Sequence, residues 1–304
     1  MQISMFDGIK PFKINKPIRL IELFAGIGAQ AKALVNIGAD FEHYKISEWE
    51  CNATKSYKAI FFGDDTNDYS KGISRSNVIQ GLFDLGISVD GKTPLTLRKI
   101  ATKPERWQRE TYNDFIATNN LGSITKIKGM DLAITGTDKF CYIMTYSFPC
   151  QDLSQAGKTK GMEKGSGTRS GLLWEVERLL SETEELPQIL LMENVPQVLK
   201  ARGWSDWIAF LDGLGYKSRY EILNAKDFGI PQNRARAFMV SLLGDYYYSF
   251  PKKRKLEKRL RDMLEPEPVD KKYYLTQGQI ESTLNSTFGQ TKNKIQTGGG
   301  DLKN

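Results

Sequence analysis

Histidine and cysteine are scarce in this sequence, and long apolar runs are absent. The single histidine, His43, argues against metal sites built from clustered histidines, and any Ser-His-Asp mechanism would depend on that one residue. The three cysteines, Cys51, Cys141 and Cys150, cannot all pair, a usage that fits a reducing cytoplasm. No stretch approaches the roughly 20 apolar residues of a membrane helix, and the polar start of the chain lacks a signal-peptide core. We therefore expect a cytoplasmic protein without a metal site or a membrane partner.

Length and charge indicate the number of domains and the kind of partner. The chain has 304 residues, enough for one large or two ordinary domains, and its hydrophobic content of 40% supports a true core. The formal net charge of +7 favours a polyanionic partner such as nucleic acid, although surplus lysine is also common on ordinary protein surfaces.

Apolar runs alternate with helical patterns along most of the chain. This alternation predicts an α/β fold with a doubly wound, mostly parallel sheet. The predicted strands are Ile18–Leu23, Tyr44–Trp49, Tyr142–Tyr146, Gln188–Met192, Tyr216–Leu223 and Ala235–Leu243. The predicted helices are Ala29–Ile37, Leu172–Ser181 and Trp207–Leu214.

Two segments depart from this alternation. Residues from about 61 to 120 are polar and lack sustained strand periodicity, so we expect an insertion there. After Pro251 a basic, helix-like run extends from Lys252 to Leu264, and a polar tail follows. We therefore divide the chain into a catalytic domain over residues 1–245 and a basic linker over 246–304. We expect the basic run to follow a nucleic-acid backbone, the alternative being a solvated helix face.

A glycine turn follows the first predicted strand. Gly26 and Gly28 lie where a strand turns into a helix, which lets backbone N–H groups approach a polar ligand closely. Glu48 ends the next predicted strand, where an acid binds ribose hydroxyls, and Trp49 offers a ring for stacking on adenine. This short pattern favours a single-adenosine cofactor such as S-adenosylmethionine. The alternative is a simple tight turn with Trp49 in the core.

Reactive side chains follow three other strands. Cys150 comes at the polar end of an apolar strand, where an α/β enzyme presents a nucleophile, although most free cysteines are small buried hydrophobes. Glu193 ends a strand expected beside it, and burial there would raise its pKa so that it holds a proton, the alternative being a solvated carboxylate. Arg234 and Arg236 are two residues apart and would share one strand face, suited to holding a phosphate or a base carbonyl, or to forming surface salt bridges.

Six of these segments occur in an order typical of one enzyme family. They are Phe24–Gly28, Glu48–Trp49, Phe148–Ser154, Arg169–Leu172, Glu193–Val195 and Gln232–Arg236. Together they resemble the ordered motifs of the DNA (cytosine-5) methyltransferases of the bacterial and phage restriction-modification type. The resemblance implies the Rossmann-like fold of S-adenosylmethionine-dependent methyltransferases, double-stranded DNA as partner and a cognate restriction endonuclease as system partner.

The resemblance also implies roles for individual residues. The Cys150 thiolate would attack C6 of a cytosine flipped out of the duplex, and Glu193 would hold the ring N3. Arg236, with Arg234, would contact the base or its phosphate. The S-adenosylmethionine pocket would be formed by Phe24, Gly26, Ile27, Gly28, Glu48, Trp49, Ile124 and Leu172.

Three departures from the family pattern leave alternatives open. Ala29 stands where a further glycine is usual, and Ser123 stands where an acid usually meets the adenine amino group. The complete recognition domain and late motifs expected after Leu243 are not found, although residues 246–304 include Tyr273–Thr276, which resembles the start of an incomplete target-recognition region. We therefore expect a catalytic portion, either truncated or needing a second chain. A cytosine-5 RNA methyltransferase shares the same chemistry, whereas Phe148–Gln151 does not fit the motif of the amino-directed DNA methyltransferases.

Overall fold

A six-stranded sheet forms the centre of the part of the chain that this computed structural model describes, residues 10–149, 162, 164, 170–265 and 268–285. All neighbours are parallel except that β7 runs antiparallel to both β5 and β6. This confirms the predicted mostly parallel sheet. In spatial order the strands are β3 (Phe41–Ser47), β2 (Ile18–Leu23), β4 (Cys141–Tyr146), β5 (Ile189–Asn194), β7 (Ala235–Leu243) and β6 (Tyr216–Asn224). A separate parallel pair consists of β1 (Lys10–Pro11) and β8 (Tyr246–Tyr247).

Helices connect the strands, and shorter 3-10 turns follow several of them. Across the described ranges the α-helices are α1 (Ala29–Asn36), α2 (Cys51–Phe61), α3 (Arg75–Asp84), α4 (Leu97–Ala101), α5 (Glu105–Ala117), α6 (Leu173–Glu182), α7 (Trp204–Gly213) and α8 (Gln277–Asn285). None of these described helices combines the length and apolarity that crossing a bilayer requires.

The two faces of the sheet bury separate cores. Leu20 of β2 and Ile143 of β4 pack with Ala31 of α1 on one face. Their strand neighbours Ile21 and Met144 point to the opposite face and join a larger core with residues of α6 and α7. Because side chains alternate along a strand, β2 and β4 can support helices on both sides. The fold is therefore doubly wound, as predicted.

The polar insertion is helical. Three helices, α3 to α5, pack around their own apolar core, which Cys51 of α2 also joins. The hydroxyls of Ser74 and Thr96 cap α3 and α4 by accepting a backbone N–H in the first turn. Each helix buries only a few apolar residues, so no long periodic pattern marks it in the sequence. We refer to residues 62–120 as the helical insert.

The predicted helix in the basic run after Pro251 is wrong. Residues 251–259 form neither helix nor strand, and a 3-10 turn follows at Leu260–Met263. Leu256 and Leu260 are exposed, so a helix here would bury no apolar face to stabilise it. Instead, Lys253 forms an ion pair with Asp227 at 3.0 Å. The domain boundary at residue 245 and contact of this run with nucleic acid stay predictions.

Candidate active site and cofactor cavity

A cavity of about 510 Å³ opens at the carboxyl ends of β3, β2 and β4. This edge of a parallel sheet is where α/β proteins bind ligands, because loops diverge there and helix N-termini point toward it. Ser47 and Trp49 contribute the wall after β3, Phe24 the wall after β2, and Ser147 and Pro149 the wall after β4. Segments far apart in the sequence thus meet around one volume large enough for a nucleoside-sized ligand.

The predicted cofactor residues divide into two groups. Lining the cavity are Phe24, Glu48, Trp49, Ile124 and Leu172. Gly26, Ile27 and Gly28 are not among its lining residues, and Ile27 is 56% exposed. The structure therefore brings the first group around one cavity, while a part in cofactor binding stays a prediction for all eight residues.

Glu48 joins the glycine turn to the end of β3. Its Oε2 accepts the N–H of Gly26 at 2.9 Å, and its Oε1 accepts the N–H of Glu50 at 2.8 Å. Burial raises the pKa of this carboxyl, while the backbone donors act in the opposite direction. β3 ends at Ser47, so the predicted strand Tyr44–Trp49 is misplaced by a few residues. Glu48 and Trp49 therefore belong to the turn after β3, and both side chains line the cavity.

The proposed nucleophile, Cys150, lies outside the described residues. The two residues before it are held by side chains from other elements. Asn194 at the end of β5 donates its Nδ2–H to the carbonyl of Phe148 at 3.0 Å. The buried Ser170 hydroxyl donates to the carbonyl of Pro149 at 3.2 Å. The chain entering Cys150 is therefore fixed at two successive carbonyl groups.

Glu193 and Arg236 form an ion pair between β5 and β7. Arg236 Nε lies 2.9 Å from Glu193 Oε1, and both side chains are half-buried. Because β5 pairs with β4, Glu193 lies on the strand beside the one that leads to Cys150, as predicted. The pair places a carboxylate and a guanidinium together near the cysteine strand, and their catalytic roles stay predictions.

Arg234 and Arg236 lie on either side of the start of β7, and their shared strand face stays a prediction. β7 begins at Ala235, so Arg234 belongs to the preceding turn and is exposed. The Arg234 N–H donates to Asn224 Oδ1 at 3.0 Å, and its carbonyl accepts from Ala225 at 3.0 Å. These bonds tie the backbone of Arg234 to the end of β6 and the turn after it.

Comparison with known proteins identifies the family. Residues 81–298 match the family model described as C-5 cytosine-specific DNA methylase. The chain belongs to that family. It is 40% identical over 256 residues to the orphan methyltransferase M.SssI of Spiroplasma monobiae, covering 82% of this chain and 65% of that protein. It is 34% identical over 273 residues to the Type II methyltransferase M2.ScrFI of Lactococcus lactis subsp. cremoris, covering 86% and 71%.

Solved structures support the fold of this C-5 cytosine methylase family member. The S. pombe Dnmt2 methyltransferase matches with a TM-score of 0.53 and 18% identity over 90% of this chain and 66% of that one. The methyltransferase EhMeth of Entamoeba histolytica gives the same values. At this identity the likeness concerns the fold alone.

The glycine turn of this family member has a packing role that its sequence did not reveal. Gly28 has φ of +84°, the left-handed region that favours glycine. A Cβ there would lie 2.4 Å from the ring of Phe61 and 2.7 Å from the ring of Tyr57. Gly28 therefore lets α1 start directly against α2.

A buried chain of three polar groups lies beneath the same turn, and the sequence interpretation missed it. Glu22 of β2 accepts the N–H of Ala31 at 3.1 Å through Oε1 and the hydroxyl of Tyr57 at 2.6 Å through Oε2. The Tyr57 hydroxyl also shares a hydrogen bond of 2.8 Å with His43 Nδ1, whose direction follows the tautomer of the imidazole. Burial raises the pKa of Glu22 to about 7, although both hydrogen bonds oppose the shift. The one signal was an acid within the apolar run Ile18–Leu23.

Proposed function

We propose that this chain transfers a methyl group from S-adenosylmethionine to C5 of cytosine in DNA, through a covalent adduct between Cys150 and C6 of the ring. The proposal rests on one observation, that a single cavity joins the predicted cofactor residues to the residue before the predicted nucleophile. The cavity extends from Glu48 and Trp49, after β3, to Pro149, immediately before Cys150. A cofactor held at one end would therefore reach the nucleophile segment at the other.

The residues around the cavity suit S-adenosylmethionine. Glu48 Oε1 and Oε2 each use one lone pair on a backbone N–H, so each retains acceptor capacity for a ribose hydroxyl. Trp49 supplies an aromatic ring for the base, and Phe24 and Leu172 supply apolar walls. When bound, the cofactor supplies an electrophilic methyl group for C5 of the ring.

The protein's own groups make C5 reactive. The Cys150 thiolate adds to C6, the electron pair of the C5–C6 double bond shifts to the C4–C5 bond, and the C4–N3 pair moves onto N3, so that C5 becomes a nucleophilic enamine carbon. Glu193 holds the ring N3 and shares a proton with it, while Arg236 fixes the Glu193 carboxylate through their ion pair. After methylation, water takes the C5 proton, the C–H electron pair re-forms the C5–C6 double bond, and the C6–S bond breaks to release the Cys150 thiolate.

The setting we propose is a DNA-modification system. M2.ScrFI is named a Type II methyltransferase, whereas M.SssI is named an orphan methyltransferase. A cognate restriction endonuclease and a second protein chain that completes the site are therefore partners to be tested separately from the methylation itself.

Glu48→Ala is expected to weaken S-adenosylhomocysteine binding by roughly ten- to a hundredfold, the effect of losing a charge-assisted hydrogen bond. Calorimetry measures this loss. Glu42→Ala removes an exposed carboxyl on β3 itself, which pairs with Arg19, and as the matched control it should bind like the wild type. Equal affinity of the Glu48 variant would remove Glu48 from the cofactor site.

The function itself is tested by methyl transfer. Incubation with S-adenosylmethionine labelled in its methyl group is expected to place label in duplex DNA, at C5 of cytosine after nucleoside digestion. Transfer RNA serves as the competing substrate. Label in RNA but not in DNA would contradict the proposal and favour an RNA methyltransferase. A lysate fraction supplying further chains shows whether a partner is required.

A further inference from the structure

The helical insert builds one end of the cavity. Its residues Gly86, Gly91, Lys92 and Pro94 line the volume together with Trp49. The cavity crosses the carboxyl ends of β3, β2 and β4, two strand spacings or roughly 10 Å. If the proposed function holds, the methyl group lies toward the β4 end, near Cys150. The nucleobase of the cofactor then lies at the opposite end, against Trp49 and the insert.

Backbone hydrogen bonds hold the insert against this end. The N–H of Ser88 donates to the carbonyl of Trp49 at 2.7 Å, and the N–H of Ser123 donates to the carbonyl of Leu85 at 2.8 Å. Gly122 adopts φ of +77°, and a Cβ there would lie 2.2 Å from the Leu85 carbonyl oxygen. The insert is thus in direct backbone contact with both segments that flank the base end.

Two of the side chains at this end carry ammonium groups, which only donate hydrogen bonds, and a third carries a hydroxyl. Lys92, Lys126 and Ser123 line the cavity there. The stem of Lys126 and the Cβ of Ser123 both border Gly86, because a Cβ on that glycine would lie 3.1 Å from each. Among the described lining residues Glu48 is the one carboxylate, and it serves the glycine turn.

Two carboxylates beside the lining residue Gly91, those of Asp90 and Glu50, are already engaged. Asp90 Oδ1 accepts the N–H groups of Lys92 at 2.8 Å and Thr93 at 3.0 Å, which fixes the loop that carries Lys92. Glu50 caps α2 by accepting the N–H of Ala53 at 2.7 Å. Neither is free to turn toward a base amino group without breaking these bonds.

We propose that Lys92 and Lys126 recognise the purine of the cofactor through its acceptor atoms, and that the site does not select for the 6-amino group. An ammonium group only donates hydrogen bonds, and a purine 6-amino group is also a donor. The acceptors of adenine are ring nitrogens, whereas a 6-oxo purine adds a carbonyl oxygen at position 6. The insert therefore makes the site tolerant of a 6-oxo base, which an acid at residue 123 would reject.

Calorimetry with S-adenosylhomocysteine and its 6-oxo counterpart, S-inosylhomocysteine, tests this inference. The wild type is expected to bind the two within about tenfold of each other, whereas a site built around the amino group would discriminate by roughly 10⁴-fold. Ser123→Asp introduces the missing acceptor and is expected to favour the adenosine compound by more than about tenfold.

Lysine variants identify the groups responsible. Lys92→Met and Lys126→Met are each expected to weaken S-inosylhomocysteine by about tenfold and S-adenosylhomocysteine by less. Lys71→Met, an exposed lysine of the insert outside the cavity, is the matched control. Thermal unfolding confirms that each variant is folded.

Three results would overturn the inference. The inference is wrong if the wild type binds S-adenosylhomocysteine firmly but rejects S-inosylhomocysteine strongly. That result would leave the proposed function intact. Unchanged binding in both lysine variants removes these residues from base recognition. Failure of the folded wild type to bind either compound overturns the proposed function and the inference together.

Discussion

Cys150→Ser is expected to abolish covalent trapping on duplex DNA that contains 5-fluorocytosine. Fluorine at C5 cannot leave as a proton, so the adduct formed by the wild type persists through denaturing electrophoresis once the methyl group has been transferred. A thiol with an ordinary pKa of about 8.5 supplies some thiolate near neutral pH, whereas a serine hydroxyl does not ionise there. We expect methyl transfer to fall by on the order of 10³-fold or more, as for loss of a nucleophile in other enzymes.

The other two cysteines provide the controls. Cys51 and Cys141 are buried, and burial raises the pKa of the Cys51 thiol to about 12 and raises that of Cys141 as well. Burial disfavours the thiolate form at both positions, so Cys51→Ala and Cys141→Ala should still be trapped if folded. Trapping of Cys150→Ser, or loss of trapping in a folded Cys51→Ala protein, would disprove the assignment.

Glu22→Gln is expected to remove a large part of the pH dependence of stability. Burial holds the pKa of Glu22 at about 7, above the ordinary value of 4.5. Its contribution is therefore fully present below pH 4.5 and is lost as pH rises through about 7, because the folded state keeps a proton that the unfolded state releases. The difference corresponds to about 3 kcal/mol of unfolding free energy between these limits.

Urea unfolding from pH 5 to pH 8 measures this effect. The glutamine amide stays neutral and can donate to the Tyr57 hydroxyl. That hydroxyl can then donate to Nδ1 of His43 in the tautomer that carries its proton on Nε2. The variant should therefore gain stability relative to the wild type as pH rises. Burial lowers the pKa of His43, so that residue acts in the opposite sense and loses stability as pH falls. Glu221→Gln, exposed on β6, should leave the wild-type slope unchanged, and an equal slope in Glu22→Gln would refute the prediction.

The sequence determined the elements whose residues are close together in the chain. The apolar runs Ile18–Leu23 and Ala235–Leu243 predicted β2 and β7 with their observed bounds, because a buried strand needs a short continuous apolar segment. The glycine turn after β2, and the position of Glu193 on the strand beside the cysteine strand, also followed from local patterns and chain order. Family membership followed from six short motifs in order.

Only the tertiary structure decided what distant segments do together. The sequence of the insert predicted only a polar insertion. Its core consists of one or two residues from each of several short helices and a loop, so no single segment shows a long apolar periodicity. Its place at one end of the cavity depends on a backbone hydrogen bond between Ser88 and Trp49, which two helices, α2 and α3, separate in the chain.

The buried polar groups depended on tertiary structure in the same way. Glu22, His43 and Tyr57 come from two strands and a helix, and they meet only because β2 pairs with β3 and Gly28 admits the aromatic rings of α2. Glu193 and Arg236 meet because β7 inserts antiparallel between β5 and β6. The sequence thus determined which residue types end each strand. Strand order and close packing decided which of these residues are in contact, because contacts between distant segments arise from the fold and not from local periodicity.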